Sequence, residues 1–172
     1  MKSIFGICLF LTICLTGALN FSAGADEYTG RKTLGLQTGF SSYNKSALAG
    51  IEFTYRFNRH LRFAPSANYI FRRFSKDALS VNLNVHVPFQ ITPRWDIYPF
   101  AGLNYSSWNY HTSGTANEDS DVTSRITRFG INAGAGVGLN LSQSLTLGLS
   151  AGYTFIKVFH GANIYARIAY RF

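Results

Sequence analysis

Apolar and polar residues alternate along this chain with a period of two, most clearly between Arg125 and Phe159. One parity of that stretch holds Phe129, Ile131, Ala133, Ala135, Val137, Leu139 and Leu141, and the other holds Arg128, Gly130, Asn132, Gly134, Gly136, Gly138 and Asn140. After a polar turn at Ser142, Gln143 and Ser144 the alternation resumes, with Leu145, Leu147, Leu149, Ala151, Tyr153 and Phe155 set against Thr146, Gly148, Ser150, Gly152 and Thr154. Successive strand residues point to opposite faces, whereas a helix would scatter these positions around its circumference. The pattern predicts two long strands in a hairpin.

The same period appears five more times upstream and once downstream. Leu34, Leu36, Thr38 and Phe40 oppose Gly35, Gln37 and Gly39, and after Tyr43, Asn44 and Lys45 the apolar set Ala47, Ala49, Ile51, Phe53, Tyr55 and Phe57 opposes Gly50, Glu52, Thr54 and Arg56. Past a turn at Asn58, Arg59 and His60, the residues Leu61, Phe63, Pro65, Ala67, Tyr69 and Phe71 oppose Arg62, Ala64, Ser66, Asn68, Ile70 and Arg72. A loop at Ser75, Lys76 and Asp77 leads to Leu79, Val81, Leu83, Val85, Val87 and Phe89 against Ser80, Asn82, Asn84, His86 and Gln90. In the fifth strand, roughly Trp95 to Tyr110, both parities are partly apolar and the facing stays open: Ala101, Leu103 and Tyr105 point outward if Asn104 points inward. A polar loop, His111 to Ser124, precedes the hairpin. The eighth strand sets Ala162, Ile164, Ala166, Ile168, Tyr170 and Phe172 against Asn163, Tyr165, Arg167 and Arg171.

Eight strands of about ten residues or more, each long enough to cross a bilayer when tilted by about 45°, predict an all-β, eight-stranded antiparallel up-and-down transmembrane β-barrel. The turns near 58–60, 92–94 and 142–144 share one end, and the long loop lies at the other with the connections near 44, 76 and 160. Short turns belong on the periplasmic side and long loops outside. Pro65, Pro88 and Pro99 fall near the short turns, where a missing ladder hydrogen bond is tolerated. Aromatic residues form two predicted belts. Phe57, Phe63, Phe89, Trp95, Tyr170 and Phe172 stand at the periplasmic end, and Tyr43, Tyr69, Phe71, Trp108, Tyr110, Phe155 and Phe159 at the external end.

Composition narrows the location. Residues 1–25 read as a cleaved signal peptide, with Lys2 before the apolar run Ile4–Leu15 and a small-residue site at Ala23-Gly24-Ala25, which leaves residues 26–172 as the barrel. Both cysteines, Cys8 and Cys14, lie in this leader, so disulfides do not hold the exported chain. The chain carries 16 Lys and Arg against 8 Asp and Glu, and Lys2 is the leader's only charge. Export argues against nucleic acid as the partner of this basic surplus. No exported stretch has the roughly 18 consecutive apolar residues of a membrane helix, so a spanning structure must be a closed barrel. The face of Gly, Asn, Ser and Arg lacks the mixed charge of a soluble coat and suits a narrow polar lumen.

The leader, the eight alternating strands and the ending Ile164, Ile168, Tyr170, Phe172 resemble the small outer-membrane β-barrel proteins of Gram-negative bacteria, of the OmpX and OmpA-barrel type. The resemblance implies residence in the cell outer membrane and contact with its lipid and lipopolysaccharide. It also implies export by the secretion translocase, and reading of that terminal aromatic pattern by the barrel-assembly machinery. A monomer without cofactor or bound metal is expected.

Glu52 reads as the one carboxylate in a strand interior, and the inward parity also holds Arg56, Arg62, Arg72, Arg128, Arg167 and Arg171. Together they predict a lumen charge network, acting as a salt-bridged plug or as a gate. His86, with no second ligand at metal spacing, is expected to be hydrogen-bonded filler. His160-Gly161-Ala162-Asn163 resembles the His-x-Ser-Asn stretch of lipid A deacylase barrels but has alanine at the nucleophile position and no acid after it. Asp77 with Ser75 or Ser80 is a weaker match to the rim residues of palmitoyl-transferring barrels. Asn117-Glu118-Asp119-Ser120-Asp121 reads as a solvated acidic loop, and Arg73 and Lys157 as basic rim residues near lipid phosphates. The expected function is structural, or minor passage of small solutes, without catalysis. The alternative is a surface interaction module using loop 111–124, and a lipid A-modifying enzyme comes third.

Overall fold

The computed structural model describes residues 30–112, 122–157 and 160–172. The leader, most of loop 111–124 with its acidic segment, and Phe159 lie outside these residues. The strands are β1 (Lys32–Ser41), β2 (Ser46–Arg56), β3 (Arg62–Arg73), β4 (Lys76–His86), β5 (Phe89–Gln90), β6 (Trp95–Thr112), β7 (Val122–Asn140), β8 (Leu145–Ile156) and β9 (Gly161–Arg171). Each pairs antiparallel with its neighbours. The β1–β9 pairing joins the chain's two ends, and the β4–β6 pairing completes the ring.

β5 is a two-residue continuation of β4 after a break at Val87-Pro88, and both pair with β6, so the wall counts eight strands. The single fourth strand expected from alternation is therefore divided, because Pro88 has no N–H to donate. Val87 N still donates to Pro99 O (3.0 Å), which keeps the wall shut across the break. Pro65 acts similarly. The β2–β3 ladder stops at Glu52↔Ser66 and resumes at Tyr55↔Phe63, with Pro65 in the gap.

The apolar parity points outward on every strand. Leu36 is 66% exposed, Leu103 61% and Ile131 58%, while Gln37, Asn68, Asn82, Asn104 and Asn132 are buried. A water-soluble domain would invert that arrangement. Closure leaves no unpaired edge through the shared height of the wall, as lipid requires.

The open facing of the fifth strand is settled in β6. Asn104 points inward, and with it Asp96, Tyr98, Phe100, Ser106 and Trp108. Their bulk is accommodated by glycine on β7, since Tyr98 lies opposite Gly136 and Phe100 opposite Gly134. A Cβ on Gly136 would stand 2.5 Å from Tyr98 Cζ, and one on Gly134 2.5 Å from Phe100 Cζ. The glycine parity of the long hairpin is thus the floor on which the β6 rings lie.

Two expectations need correction. Trp108, Tyr110 and Tyr43 do not join the external belt. Trp108 is 3% exposed and sits inside the mouth, with Tyr43 edge-on at 4.9 Å, because its parity is that of Asn104. The loop expected at Ser75 to Asp77 is a two-residue turn, Phe74-Ser75, closed by Arg73↔Lys76, so Asp77 belongs to β4. The belts otherwise stand where alternation put them: Phe57, Phe89, Trp95, Tyr170 and Phe172 at one end, Tyr69, Phe71 and Phe155 at the other, all exposed.

Candidate functional site: the barrel lumen

Inward-facing side chains stack in four levels from the external mouth to the periplasmic end. At the mouth, Leu48, Ile70, Ala78, Trp108 and Ile156 form an apolar plug, flanked by Tyr43, Tyr110, Ile126 and Tyr165. Burial and a hydrogen bond with Tyr110 push the phenol of Tyr43, in the external turn, up to about 12. Asn44 braces the same rim, its Nδ2 donating to Phe71 O (3.2 Å) and Lys76 O (3.0 Å).

Below the plug lies a connected amide and hydroxyl network. Asn163 Nδ2 donates to Thr154 Oγ1 (3.0 Å), which donates to Asn132 Oδ1 (2.9 Å). Asn132 Nδ2 reaches Asn82 Oδ1 (2.8 Å), Asn104 Nδ2 shares that oxygen (2.6 Å), and Asn82 Nδ2 donates to Ser66 Oγ (3.2 Å). Gln37 extends the chain by donating to Asn68 Oδ1, and Asn68 Nδ2 donates to Ser66 Oγ (3.4 Å). Seven of the eight wall strands contribute, and each bond between strands links neighbours or strands one apart, so the network braces the wall from inside as well as filling space.

At the third level Arg167 donates to Glu52 in a buried ion pair. Arg62 Nη2 stands 3.1 Å from His86 Nδ1. Because a guanidinium only donates, that nitrogen must accept, which makes His86 a neutral imidazole there. His86 also stacks on Tyr98 (4.8 Å between centroids, 11°), and the Arg62 guanidinium lies 4.5 Å from the same ring. At the periplasmic level stand Arg31, Arg56, Arg171 and Asp96.

The residues expected to form one charge network are distributed over two ends. Glu52, Arg62, Arg167, Arg56 and Arg171 share the lower half of the lumen. Arg72 and Arg128 share the inward parity but stand at the external rim, where the barrel no longer encloses them. Arg72 Nε lies 3.7 Å from Asp77 Oδ1, and Arg128 Nη1 donates to Thr127 O (3.2 Å). Glu52 is also not the lone lumen carboxylate, since Asp96 is 4% exposed at the foot of β6. The undecided facing of that strand concealed it. What the alternation did offer was the conditional on Asn104, whose parity Asp96 shares.

At the outer rim, Asp77 Oδ1 lies 2.6 Å from His111 Nε2, and Asn109 Nδ2 donates to Asp77 Oδ2 (3.0 Å). Arg72 Nη2 reaches the same ring nitrogen at 2.7 Å. Arg72 can only donate, so one of these two contacts is satisfied at a time. Ala162 faces outward, while Asn163 is held by Thr154, so the His160–Asn163 stretch straddles the wall. Arg73 and Lys157 are exposed at the external rim, Arg73 donating to Lys45 O.

A closed ring with a greasy exterior and a filled polar interior defines a transmembrane β-barrel. The sequence matches the outer membrane protein beta-barrel domain over residues 11–172, and the chain belongs to that family and resides in the cell outer membrane. The fold is similar to the N-terminal β-barrel domain of Pseudomonas aeruginosa OprF, at 16% identity, 84% of this chain, 98% of that one and a TM-score of 0.68. It is similar to the attachment invasion locus protein Ail of Yersinia pestis, at 16% identity, 84% and 99% coverage and a TM-score of 0.62. Neisserial surface protein A is similar at 19% identity, 84% and 98% coverage and a TM-score of 0.67. These likenesses establish the fold alone. No curated protein sequence is significantly similar to the chain.

Proposed function

We propose that this protein is a structural barrel of the outer membrane whose lumen is closed at rest, passing small solutes only when its internal bonds open, and that it performs no covalent chemistry. The observation that carries this reading is the filling of the lumen. The two cavities in its upper and middle parts measure about 20 Å³ each, room for roughly one water apiece. Its partners are then outer-membrane lipid and lipopolysaccharide, with the translocase and assembly machinery during biogenesis, and the barrel acts as a monomer. Planar-bilayer recording on refolded protein tests it. Long closed periods with rare small openings are expected, and Glu52→Gln should raise the open fraction. A steady conductance of general-porin size would overturn the reading.

A second reading, a surface interaction module, draws on the β6–β7 hairpin. β7 pairs with β6 up to Val122, whereas its described pairing with β8 begins only at Gly130. The segment Val122–Phe129 therefore presents a backbone edge toward the outside, suited to strand addition by a partner. Removing residues 111–124, which takes away the loop and the start of that edge, should abolish adhesion while leaving conductance unchanged if this reading holds. The enzyme reading retains one observation, the Asp77–His111 contact at the outer rim, which is the acid-and-base half of a nucleophilic site. An altered lipid A mass profile on overexpression would support it over the structural reading.

A further inference from the structure

We propose that the tip of the β3–β4 hairpin is a docking site for a phosphorylated glycolipid of the outer leaflet, with Lys45, Arg72 and Arg73 around a phosphate and the Phe74 ring set among the lipid. The inference takes the lipid partner from the reading above and names where it docks. Conductance plays no part in it.

The backbone at this tip is held in a costly shape. Phe74 and Ser75 have φ of +50° and +58°, a region that a bulky side chain rarely occupies. Strain of that kind gathers at ligand clamps. Packing does not account for it here, because Phe74 is 69% exposed. The ring lies under the Arg73 guanidinium at 5.2 Å. Along the hairpin it follows Tyr69 and Phe71, which are exposed on the lipid side and meet edge-on at 5.6 Å, so it extends the external aromatic belt by one step.

The charge beside the ring is of one sign at the surface. A register shift between Ile70 and Arg73 interrupts the inward parity, and Arg72 comes to lie beside Asp77 with 57% of its side chain exposed. Asp77 is buried, and its two oxygens are engaged by His111 (2.6 Å) and Asn109 (3.0 Å). At 3.7 Å it is a distant counterion for Arg72. Arg73 donates to the carbonyl oxygen of Lys45 in the β1–β2 turn, which orients the guanidinium without neutralising it and ties the two turns together. Arg73 and Lys45 are both exposed, and among the described residues neither has a carboxylate within ion-pair distance. Lys76 is turned elsewhere, its ammonium 5.0 Å from the Tyr110 ring.

A guanidinium offers parallel N–H groups at the spacing of two phosphate oxygens, and basic residues at a membrane surface draw anionic headgroups. Height and chemistry together select a lipid. The three cations crown a wall whose flank, from Tyr69 and Phe71 downward, is apolar, so a phosphate at their level has hydrocarbon directly beneath it. A soluble anion would use the arginines and leave the strained, exposed ring unexplained. A phosphorylated lipid uses both.

The test uses residues 26–172 refolded into phosphatidylcholine nanodiscs, with lipid A added in rising mole fraction and the Nε–Hε NMR signals of Arg72 and Arg73 followed. Lipid A should move both signals saturably, and lipid A stripped of its phosphates should move neither. Lys45→Gln with Arg73→Gln, read on Arg72, should weaken binding roughly tenfold, as loss of a charge-assisted contact implies. Phe74→Asn with Ser75→Gly should weaken it several-fold while raising the denaturant midpoint, which separates a docking role from a folding one. An equal response to phosphate-free lipid A, an equal response to inorganic phosphate alone, or unchanged affinity in both variants would overturn the proposal. Any of these would leave the closed-lumen reading standing, since bilayer recording tests that separately.

Discussion

Glu52 sits 9% exposed inside a protein wall, where a carboxylate is tolerable only with a cation against it, and Arg167 supplies that cation. Removing one partner of a buried pair strands the other. Glu52→Gln should therefore lower unfolding stability by roughly 3 kcal/mol in a denaturant titration in micelles. Glu52→Gln combined with Arg167→Met should recover much of that loss, since the pair itself offsets its own desolvation only in part. Alternation alone placed Glu52 and Arg167 on the lumen face, but it could not pair them. They are 115 residues apart in the chain, and five other arginines share their parity. The pairing follows from the height at which each strand crosses the barrel. A different limit hid Asp96: its strand carries Tyr98, Phe100 and Trp108 on one parity and Trp95, Ile97, Leu103 and Tyr105 on the other, both apolar in a one-dimensional reading.

Among the elements, the β3–β4 hairpin carries an unusual turn. Phe74 and Ser75 have φ of +50° and +58°, the left-handed region on both central residues of a two-residue connection. That turn matches the right-handed twist of the strands but favours Asn-Gly. Phe74→Asn with Ser75→Gly should stabilise the barrel by about 1 kcal/mol, read as a higher denaturant midpoint at unchanged slope. A fall in stability would mean that the Phe74 ring, under Arg73 at 5.2 Å, contributes more than its backbone strain costs. This turn was misplaced by a residue or two in the sequence reading because Phe74 is not a turn former. The polar cluster beside it, Ser75 to Asp77, attracted the assignment instead. Prolines were more informative: Pro65 and Pro88 each mark a place where the ladder is interrupted.

For the whole molecule, depth in the membrane should grade the cost of a charge on the outer face. Leu83, midway along β4, is 46% exposed, and Phe57 lies at the periplasmic rim at 48%. Leu83→Arg should destabilise the barrel in lipid vesicles by about 2–4 kcal/mol and Phe57→Arg by less than about 1 kcal/mol. Equal costs at both sites would contradict the placement of the hydrocarbon zone. Strand number, the facing of every strand but the fifth, and residence in the outer membrane were determined by the sequence itself. Each rests on a two-residue period, which is a property of local backbone geometry and survives without knowledge of neighbours. Tertiary structure alone decided which inward side chains meet: the amide network through Asn82, the ring stack on Gly134 and Gly136, the plug around Trp108 and the arginine chamber below Glu52. Those contacts join residues from different strands at one level, and the level is set by how the strands are staggered when the sheet closes, a quantity that no single strand's pattern contains.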